Sequence, residues 1–403
     1  MSGPVLIIAS MDETGQATWQ ERLKQARWLW VPALAFSISR LGVFLVAYLA
    51  VSLLEEAPVD SYHIAPDHLL LDAFASRWDT GFYLSIASEG YRYQGVQLPS
   101  VAFFPLLPLL IRAFTGLFGN PLFAGVLVTN AALLGASILL YRYAALDWGE
   151  AAAGRAVWYL LIFPVSFFGS AVYSESLFLL VAVGSLYLAR KGYWESGAML
   201  GILASLTRFV GLILAPTLLA EWLSQRWRSP SGARPPLAGL LAPAVVPAGT
   251  LAYMAYLNRV FGDPLAFLHA SAAWARVPRS PLVTFAEQLR PPAEGWGAAL
   301  LSGRFPLDNW IDLLAVLFFL ALGCILLAQR RWSEGVFVVL GSLLPFSSGL
   351  LMSQRRYVWV LFPAFILLAR WGERPWVDRL IVVLSLLGLG LFTAMFANWY
   401  WVG

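Results

Sequence analysis

One stretch of the chain, residues 77–91, combines charge, aromatic rings and a helical repeat within a largely apolar sequence. At 100° per residue, its large apolar side chains fall on one stripe, and Asp79 and Tyr83 fall on the opposite face. The stripe consists of Phe74, Trp78, Phe82 and Ile86. We therefore expect a helix that lies flat on a membrane surface, with Asp79 facing a cavity where its carboxylate can take a proton from a bound hydroxyl group.

Three arginines at the predicted outer face could bind a phosphate group of the substrate, because guanidinium binds phosphate through two hydrogen bonds and stays charged. Arg208, Arg355 and Arg356 are our candidates for this role. The structural alternative is that they pair with acids or extend to the membrane interface. Arg40 lies in the middle of the first apolar run, so it must face the bundle interior, as an ion-pair partner or as part of the cavity wall.

Tyr173 and Glu175 begin a predicted helix, and both are candidate substrate-binding residues. Glu175 is open to three roles: binding sugar hydroxyl groups, orienting an arginine, or acting as the base in place of Asp79. Its structural alternative is a carboxylate stabilised by the helix dipole. Asp72, seven residues before Asp79, is the runner-up base. The spacing of Asp79 and Glu175 neither requires nor excludes a divalent ion, and we expect no other cofactor.

The composition excludes an ordinary soluble protein. The 403 residues are 59% hydrophobic and 12% charged, and the mean hydropathy is +0.70, as expected for a polytopic helical membrane protein. The net charge is +4, but the arginines do not form one basic face, so we expect no nucleic-acid partner. The single cysteine, Cys324, allows no disulfide and no thiolate metal site.

A helix that bridges a bilayer needs about 20 residues, and about eleven apolar runs reach or approach this length. We place them at 28–53, 121–142, 155–172, 175–190, 195–208, 209–225, 237–258, 309–328, 334–352, 357–370 and 377–398. The fold class is therefore an all-α transmembrane bundle. The runs 195–208 and 209–225 are short for two crossings, and one long helix there would reverse the topology of the later spans.

The distribution of lysine and arginine predicts the topology, because both collect in cytoplasmic loops. Residues 1–27 are then cytoplasmic, and 54–120 and 259–308 form two long outer loops, the first with amphipathic surface helices that include 103–118. The chain forms one transmembrane domain, 1–403. Its outer face gathers the polar residues Asp79, Tyr173 to Glu175, Arg208, Asp263 and Gln354 to Arg356. Because only Lys24 and Lys191 are lysines, the arginine-rich chain is typical of a prokaryotic cell membrane protein.

This inventory suits glycosyl transfer from a lipid phosphate. The reaction needs one base for the attacking hydroxyl group, whereas the phosphate leaving group needs only cations or hydrogen-bond donors. A glycosidase of the ordinary type needs two facing carboxylates instead. A lipid-linked donor follows from the outward-facing site, because nucleotide sugars are cytosolic.

The run from Arg77 to Tyr91 fits the pattern R-W-D-x-x-x-[FY]-x-x-I-A-x-x-G-Y, which resembles the PIG-V family of GT-C membrane mannosyltransferases. Shorter matches follow in the family's order at Ala102 to Pro105, Tyr173 to Phe178, Thr207 to Gly211, and Arg356 to Pro363. The resemblance implies a GT-C helix bundle, a polyprenyl-phosphate mannose donor, a glycolipid or glycan acceptor, and Asp79 as the base. The predicted substrate-binding residues are Arg40, Arg77, Trp78, Tyr83, Tyr173, Glu175, Arg208, Arg355 and Arg356.

Two alternatives remain at this point. A transporter or flippase of lipid-linked sugars would carry polar groups along a path through both membrane faces, whereas the predicted polar residues cluster on one face apart from Arg40. A non-catalytic subunit of a glycosyltransferase complex would keep the fold, lose the chemistry and require an accessory membrane partner.

Overall fold

The computed structural model describes residues 19–58, 71, 76–230 and 234–403, whose regular structure is helical throughout, with no strand among them. The α-helices are α1 (Trp19–Gln25), α2 (Arg27–Leu53), α3 (Thr80–Glu89), α4 (Leu106–Phe118), α5 (Pro121–Ile162), α6 (Glu175–Arg190), α7 (Trp194–Thr207), α8 (Leu214–Arg228), α9 (Leu241–Val245), α10 (Ala248–Phe261), α11 (Ala266–Ala270), α12 (Pro281–Gln288), α13 (Trp296–Leu301), α14 (Leu307–Ala328), α15 (Trp332–Phe346), α16 (Gln354–Trp359), α17 (Pro363–Trp371) and α18 (Pro375–Ala397). The shorter 3-10 helices are Ser100–Ala102, Ser166–Gly169, Phe209–Ile213, Leu237–Leu240 and Ser271–Trp274.

Five helical segments of the described chain are long and apolar enough to cross a membrane, judged by length and composition. They are Arg27–Leu53, Pro121–Ile162, Leu237–Phe261, Leu307–Ala328 and Pro375–Ala397. The predicted all-α polytopic fold class is therefore confirmed, but the count of eleven spans is not. Other apolar helices are shorter than the length of about 20 residues that is needed to cross a bilayer. For example, α6 has 16 residues.

The longest helix, α5, covers the predicted span 121–142 and only the first part, to Ile162, of the predicted span 155–172. Its 42 residues bend at Gly149, whose φ of 75° and ψ of 169° lie outside the helical region. The helix ends at Ile162, earlier than predicted, because Phe163 precedes a proline and has the extended conformation that this position favours. A buried, mostly irregular segment then leads to α6.

The predicted runs 195–208 and 209–225 are two separate helical segments rather than one long helix. Arg208 interrupts them with extended backbone, φ −156° and ψ 147°. The chain then packs so closely on α7 that a Cβ atom at Gly211 would lie 2.3 Å from the carbonyl oxygen of Ala204. Only glycine fits this turn, and the turn places Arg208 at the end of the bundle.

The apolar core is organised around α5, which contacts α2, α4, α6, α17 and α18. Its tyrosines Tyr141, Tyr143 and Tyr159 are at most 2% exposed. A second apolar cluster joins residues of the first predicted outer loop, such as Phe104, to Tyr253 of α10 and to residues of the second predicted outer loop. The two loops therefore pack against each other on the same end of the bundle.

The helix that contains part of the predicted amphipathic stripe is shorter than the stripe, which was predicted to run from Phe74 to Ile86. Phe74 and the alternative base Asp72 lie outside the described residues, and α3 begins only at Thr80. Trp78 has a positive φ of 53° and so precedes the helix. Tyr83, assigned to the polar face, is 6% exposed, because its hydroxyl group finds a buried partner. The second expected surface helix corresponds to α4, whose 13 residues extend only about 20 Å.

Arg40 of α2 has a structural environment. The side chain is buried and donates hydrogen bonds from Nη2 to the carbonyl oxygen of Leu161 at 2.7 Å and from Nη1 to that of Ser166 at 2.8 Å. The hydroxyl groups of Ser166 and Ser170 accept further bonds. Arg40 therefore satisfies carbonyl groups that the end of α5 leaves without helical partners. Arg40 forms no ion pair with a described residue. It also does not form part of the predicted cavity wall in the described structure.

Replacing Arg40 with methionine is expected to destabilise the protein, because the buried carbonyl oxygens of Leu161 and Ser166 lose a charged donor, and a hydrogen bond from a charged group contributes about 1.5–3 kcal/mol. The midpoint of thermal unfolding in detergent should fall clearly below that of the unmodified protein. Lys191→Met, which removes an exposed cation at the end of α6, should leave the midpoint unchanged. Equal midpoints for both variants would contradict the structural role of Arg40.

Candidate active site

Asp79 lies in a turn immediately before α3, held between two parts of the chain. Its backbone N–H donates to the hydroxyl oxygen of Tyr173 at 3.1 Å. Its carboxylate oxygen Oδ2 accepts from Nη1 of Arg356 at 3.0 Å. The other oxygen, Oδ1, has no hydrogen-bond donor among the described residues, and the side chain is 21% exposed. One oxygen of Asp79 is thus anchored, and the other is open to a ligand.

Arg356 links Asp79 to a second carboxylate. Its Nε atom lies 3.3 Å from Oε1 of Glu175, which also pairs with Nη1 of Arg208 at 2.5 Å. Glu175 is only 1% exposed, whereas Arg356 and Arg208 are 7% and 16% exposed in their side chains. Residues distant in sequence therefore form one row, Asp79, Arg356, Glu175 and Arg208, and the guanidinium group of Arg356 lies between the two carboxylates.

Hydroxyl groups complete this row. Ser174 accepts hydrogen bonds from Nη1 of Arg208 at 3.2 Å and from the hydroxyl group of Tyr83 at 3.0 Å. Burial raises the pKa of Tyr83, so its hydroxyl group stays protonated and acts as the donor. Tyr173 bonds to the backbone on both sides of Trp78, because its hydroxyl group also donates to the carbonyl oxygen of Arg77 at 3.3 Å. Both tyrosines therefore fix the turn that carries Asp79.

Arg77 and Trp78 precede Asp79 and connect the same turn to the C-terminal part of the chain. Arg77 donates from Nε to the carbonyl oxygen of Ala397 at 3.0 Å, lies 3.6 Å from Glu56, and places its guanidinium carbon 4.5 Å from the centre of the Trp399 ring. Trp78 packs edge-on against the rings of two tryptophans in the C-terminal segment, at 5.2 and 5.9 Å between centroids. The contacts of Arg77 and Trp78 attach the turn that carries Asp79 to the end of α18 and to the segment after it.

Arg355 points away from the row although it neighbours Arg356. Its Nε atom lies 2.9 Å from Asp312 and its Nη2 atom 2.5 Å from Asp308, both on α14. Adjacent helical residues diverge by about 100°, so only one of the two arginines faces the site. Asp263, also predicted at this face, lies apart with Tyr93 and His269, and the hydrogen bond from His269 holds its pKa below the ordinary value.

Two residues of the site were not among the predicted set. Tyr357 lies at its centre, with the guanidinium carbons of Arg208, Arg276 and Arg356 at 5.3, 5.3 and 5.2 Å from its ring centroid. The position after Arg356 is a signal that could have indicated Tyr357. Arg276 belongs to the second predicted outer loop, 259–308, whose several arginines cannot be told apart by their sequence pattern. Its position in the site could therefore only come from the structure.

A second ionic cluster lies at the other end of α6. Arg190, which ends this helix, pairs with Asp147 and Glu221 at 2.7 Å each, and Arg331 pairs with Asp147 at 2.5 Å and with Glu334. The expectation that polar groups gather at one face was therefore incomplete. The two clusters are separated by the length of α6, about 22 Å. Arg190 and Arg331 therefore share the carboxylate of Asp147 at this end of the bundle.

Two apolar cavities flank the site. One, of about 410 Å³, is lined by residues that adjoin the row in sequence, including Phe209 after Arg208, and by Leu340, Leu344 and Ser347 of α15 and the turn after it. The other, of about 300 Å³, lies between α3, α4 and α10 and is lined by Ile86, Tyr91 and Tyr253, among others. Neither of these two cavities is lined by Asp79 itself, which the sequence had placed in a cavity wall.

Apolar spans around a buried row of carboxylates and arginines define the chain as a polytopic membrane protein with an ionic site at one end of its helix bundle. The family model described as mannosyltransferase (PIG-V) matches residues 50–229. This range contains Asp79, Glu175 and Arg208, and the predicted resemblance is therefore confirmed over it. The match supports a mannosyl- or hexosyltransferase.

The chain is also similar to solved structures at low identity. ArnT from Cupriavidus metallidurans, solved with undecaprenyl phosphate, is 15% identical with a TM-score of 0.49, over 91% of this chain and 76% of that one. The archaeal oligosaccharyltransferase AglB from Archaeoglobus fulgidus, solved with an inhibitory peptide and a dolichol-phosphate, is 13% identical with a TM-score of 0.45, over 96% of this chain and 57% of that one. No curated protein sequence matches the chain.

Proposed function

We propose that the protein is an inverting glycosyltransferase that moves mannose, or a related hexose, from a polyprenyl-phosphate sugar to a hydroxyl group of a glycolipid or glycan. Asp79 is the general base. The observation that carries the proposal is the asymmetry of the two carboxylates on Arg356. The oxygen of Asp79 without a described donor belongs to a side chain that is 21% exposed, whereas both carboxylate oxygens of Glu175 are buried, its side chain is 1% exposed, and its described ion-pair partners are Arg208 and Arg356.

This asymmetry separates the roles that the sequence left open. A base must come within about 3 Å of the acceptor hydroxyl group, and a carboxylate that is buried beneath Arg208 and Arg356 offers no such approach. Glu175 is therefore the residue that orients the arginines. Asp79 is the residue that meets the acceptor.

The proposed reaction uses these groups as follows. The acceptor oxygen attacks the anomeric carbon of the donor from the face opposite the phosphate, and its proton passes to Oδ1 of Asp79. The bond between the anomeric carbon and the phosphate oxygen breaks, and its electron pair leaves with the phosphate. Arg356 and Arg208 stabilise the charge that the phosphate gains.

A lipid-linked donor suits the surroundings of the row. The cavity of about 410 Å³ has an almost entirely apolar lining and begins at Phe209, the residue after Arg208. An amphipathic molecule can thus place a phosphate at the arginine and an apolar chain beside it. The positive-inside pattern supports a site on the non-cytoplasmic side, and the low lysine content supports a prokaryotic cell membrane.

The proposal is tested by reconstituting the purified protein in liposomes with labelled polyprenyl-phosphate mannose and a membrane lipid extract. We expect label to appear in a new glycoside while polyprenyl phosphate is released in equal amount. Movement of labelled donor across sealed liposomes without a new glycosidic bond would identify a flippase instead. Transfer that requires an added membrane fraction, with none from the purified protein, would identify a non-catalytic subunit.

A further inference from the structure

Arg276 reaches the site from a loop that is fastened to the bundle. The backbone N–H groups of Val277 and Arg279 donate to the carbonyl oxygens of Ser348 and Ser347 at 3.0 and 2.9 Å. The pairing requires Gly349, which has a φ of 74° and where a Cβ atom would lie 2.7 Å from the carbonyl oxygen of Val277. The segment from Arg276 to Arg279 is therefore a strap held across the turn after α15.

The guanidinium group of Arg276 is oriented by neutral partners. Its Nη1 atom donates to the hydroxyl oxygen of Ser348 at 3.0 Å, and its Nη2 atom donates to the carbonyl oxygen of Met352 at 3.1 Å. It forms no ion pair with any described carboxylate. The side chain is half-buried, so its direction is fixed, and no carboxylate in the described part of the chain neutralises its charge.

The charges around Tyr357 do not balance. Three guanidinium groups, of Arg208, Arg276 and Arg356, surround this ring within 5.3 Å of its centroid. The two carboxylates of the row contact only Arg208 and Arg356. One positive charge is left over, and it belongs to Arg276. A half-buried, oriented and uncompensated cation suits an anionic ligand.

We propose that Arg276 binds the phosphate of the lipid-linked donor and stabilises the negative charge which that phosphate gains when the sugar leaves. This inference rests on the proposed transferase reaction and adds a residue outside the stretch that the family model matches. Ser347, whose carbonyl oxygen anchors the strap, lines the same apolar cavity as Phe209, the residue after Arg208. The cavity therefore adjoins Arg208 through Phe209 and adjoins the strap that carries Arg276 through Ser347.

The charge of the phosphate predicts which kinetic constant depends on Arg276. The donor is a phosphodiester with one negative charge, and cleavage of its bond to the anomeric carbon delivers a second. A cation beside the phosphate is attracted more strongly by two negative charges than by one, so its interaction strengthens as the bond breaks. Interactions that strengthen in the transition state raise kcat rather than lower KM.

We expect Arg276→Gln to lower kcat by about 10²-fold, the effect of removing one charge-stabilising donor, while the KM for polyprenyl-phosphate mannose changes by less than about threefold. Inhibition by the product, polyprenyl phosphate, should weaken in parallel with kcat. Arg279→Gln is the matched control in the same strap, because Arg279 is exposed and pairs with Glu287. Its kinetic constants should equal those of the unmodified protein.

The outcomes separate this inference from the proposed function. An Arg276→Gln variant with unchanged kcat and unchanged product inhibition would overturn the role of Arg276 while leaving the transferase intact. An unmodified protein that binds polyprenyl phosphate through Arg276 but transfers no sugar would retain the site and reject the reaction. If Arg276→Gln does not fold, Arg276→Lys decides: a loss of about tenfold in kcat supports the role, and no loss contradicts it.

Discussion

Asp79→Asn should lower the rate of sugar transfer by about 10² to 10⁴-fold, the contribution of a positioned general base. Asparagine keeps the size of the side chain and an oxygen for Arg356, but it cannot accept the proton of the attacking hydroxyl group. The measurement is the initial rate of glycoside formation from labelled polyprenyl-phosphate mannose in proteoliposomes. The loss should appear in kcat, because Asp79 acts on the acceptor and not on the donor phosphate.

Folding provides the control for this variant. Asp79 is 21% exposed in its side chain and contacts a single arginine, so Asp79→Asn should unfold at nearly the temperature of the unmodified protein. Asp79→Glu keeps the carboxylate and should retain part of the rate. Turnover by Asp79→Asn at the unmodified rate would remove Asp79 as the base.

Glu175→Gln should instead act mainly on stability. Removal of one partner from a buried ion pair leaves an uncompensated charge and costs about 3–5 kcal/mol, and Glu175 serves two arginines, Arg208 and Arg356. The midpoint of thermal unfolding in detergent should fall well below that of Asp79→Asn. Transfer should fall as well, because both arginines lose the group that orients them toward the donor phosphate.

The matched control is Glu195→Gln, which removes an exposed carboxylate near the start of α7 and should change neither stability nor transfer. A Glu175→Gln protein that unfolds normally but has lost all transfer, together with an active Asp79→Asn, would reverse the assignment and make Glu175 the base. The pair of variants therefore distinguishes the two roles that the sequence left open.

The helical fold was predictable from the sequence because apolar runs of bilayer length are an unambiguous signal. The positions at which helices end within those apolar runs were harder to predict. The early end of α5 at Ile162 depends on a proline at 164, and the interruption at Arg208 depends on the close approach of Gly211 to Ala204. The first feature is a local effect of proline that hydropathy alone does not register, and the second arises from packing between segments, which hydropathy does not contain.

The sequence could predict which residues lie at the same end of the helix bundle, but it could not predict which of them contact each other. Asp79 and Arg356 are 277 residues apart in sequence, and topology placed both at the same end of the bundle. Helical geometry then decided between neighbours, since Arg355 turns to Asp308 and Asp312 on α14. Arg276 gave no sequence signal because its importance comes from the absence of a carboxylate beside it among the described residues.

The most direct test of the central claim is the single-turnover rate of Asp79→Asn with labelled polyprenyl-phosphate mannose already bound. This measurement isolates the step in which the acceptor loses its proton, free of donor binding and product release. We expect the rate to fall by about 10²-fold or more while the amount of bound donor stays at the level of the unmodified protein. A single-turnover rate equal to that of the unmodified protein would show that the proton goes elsewhere and would contradict the account.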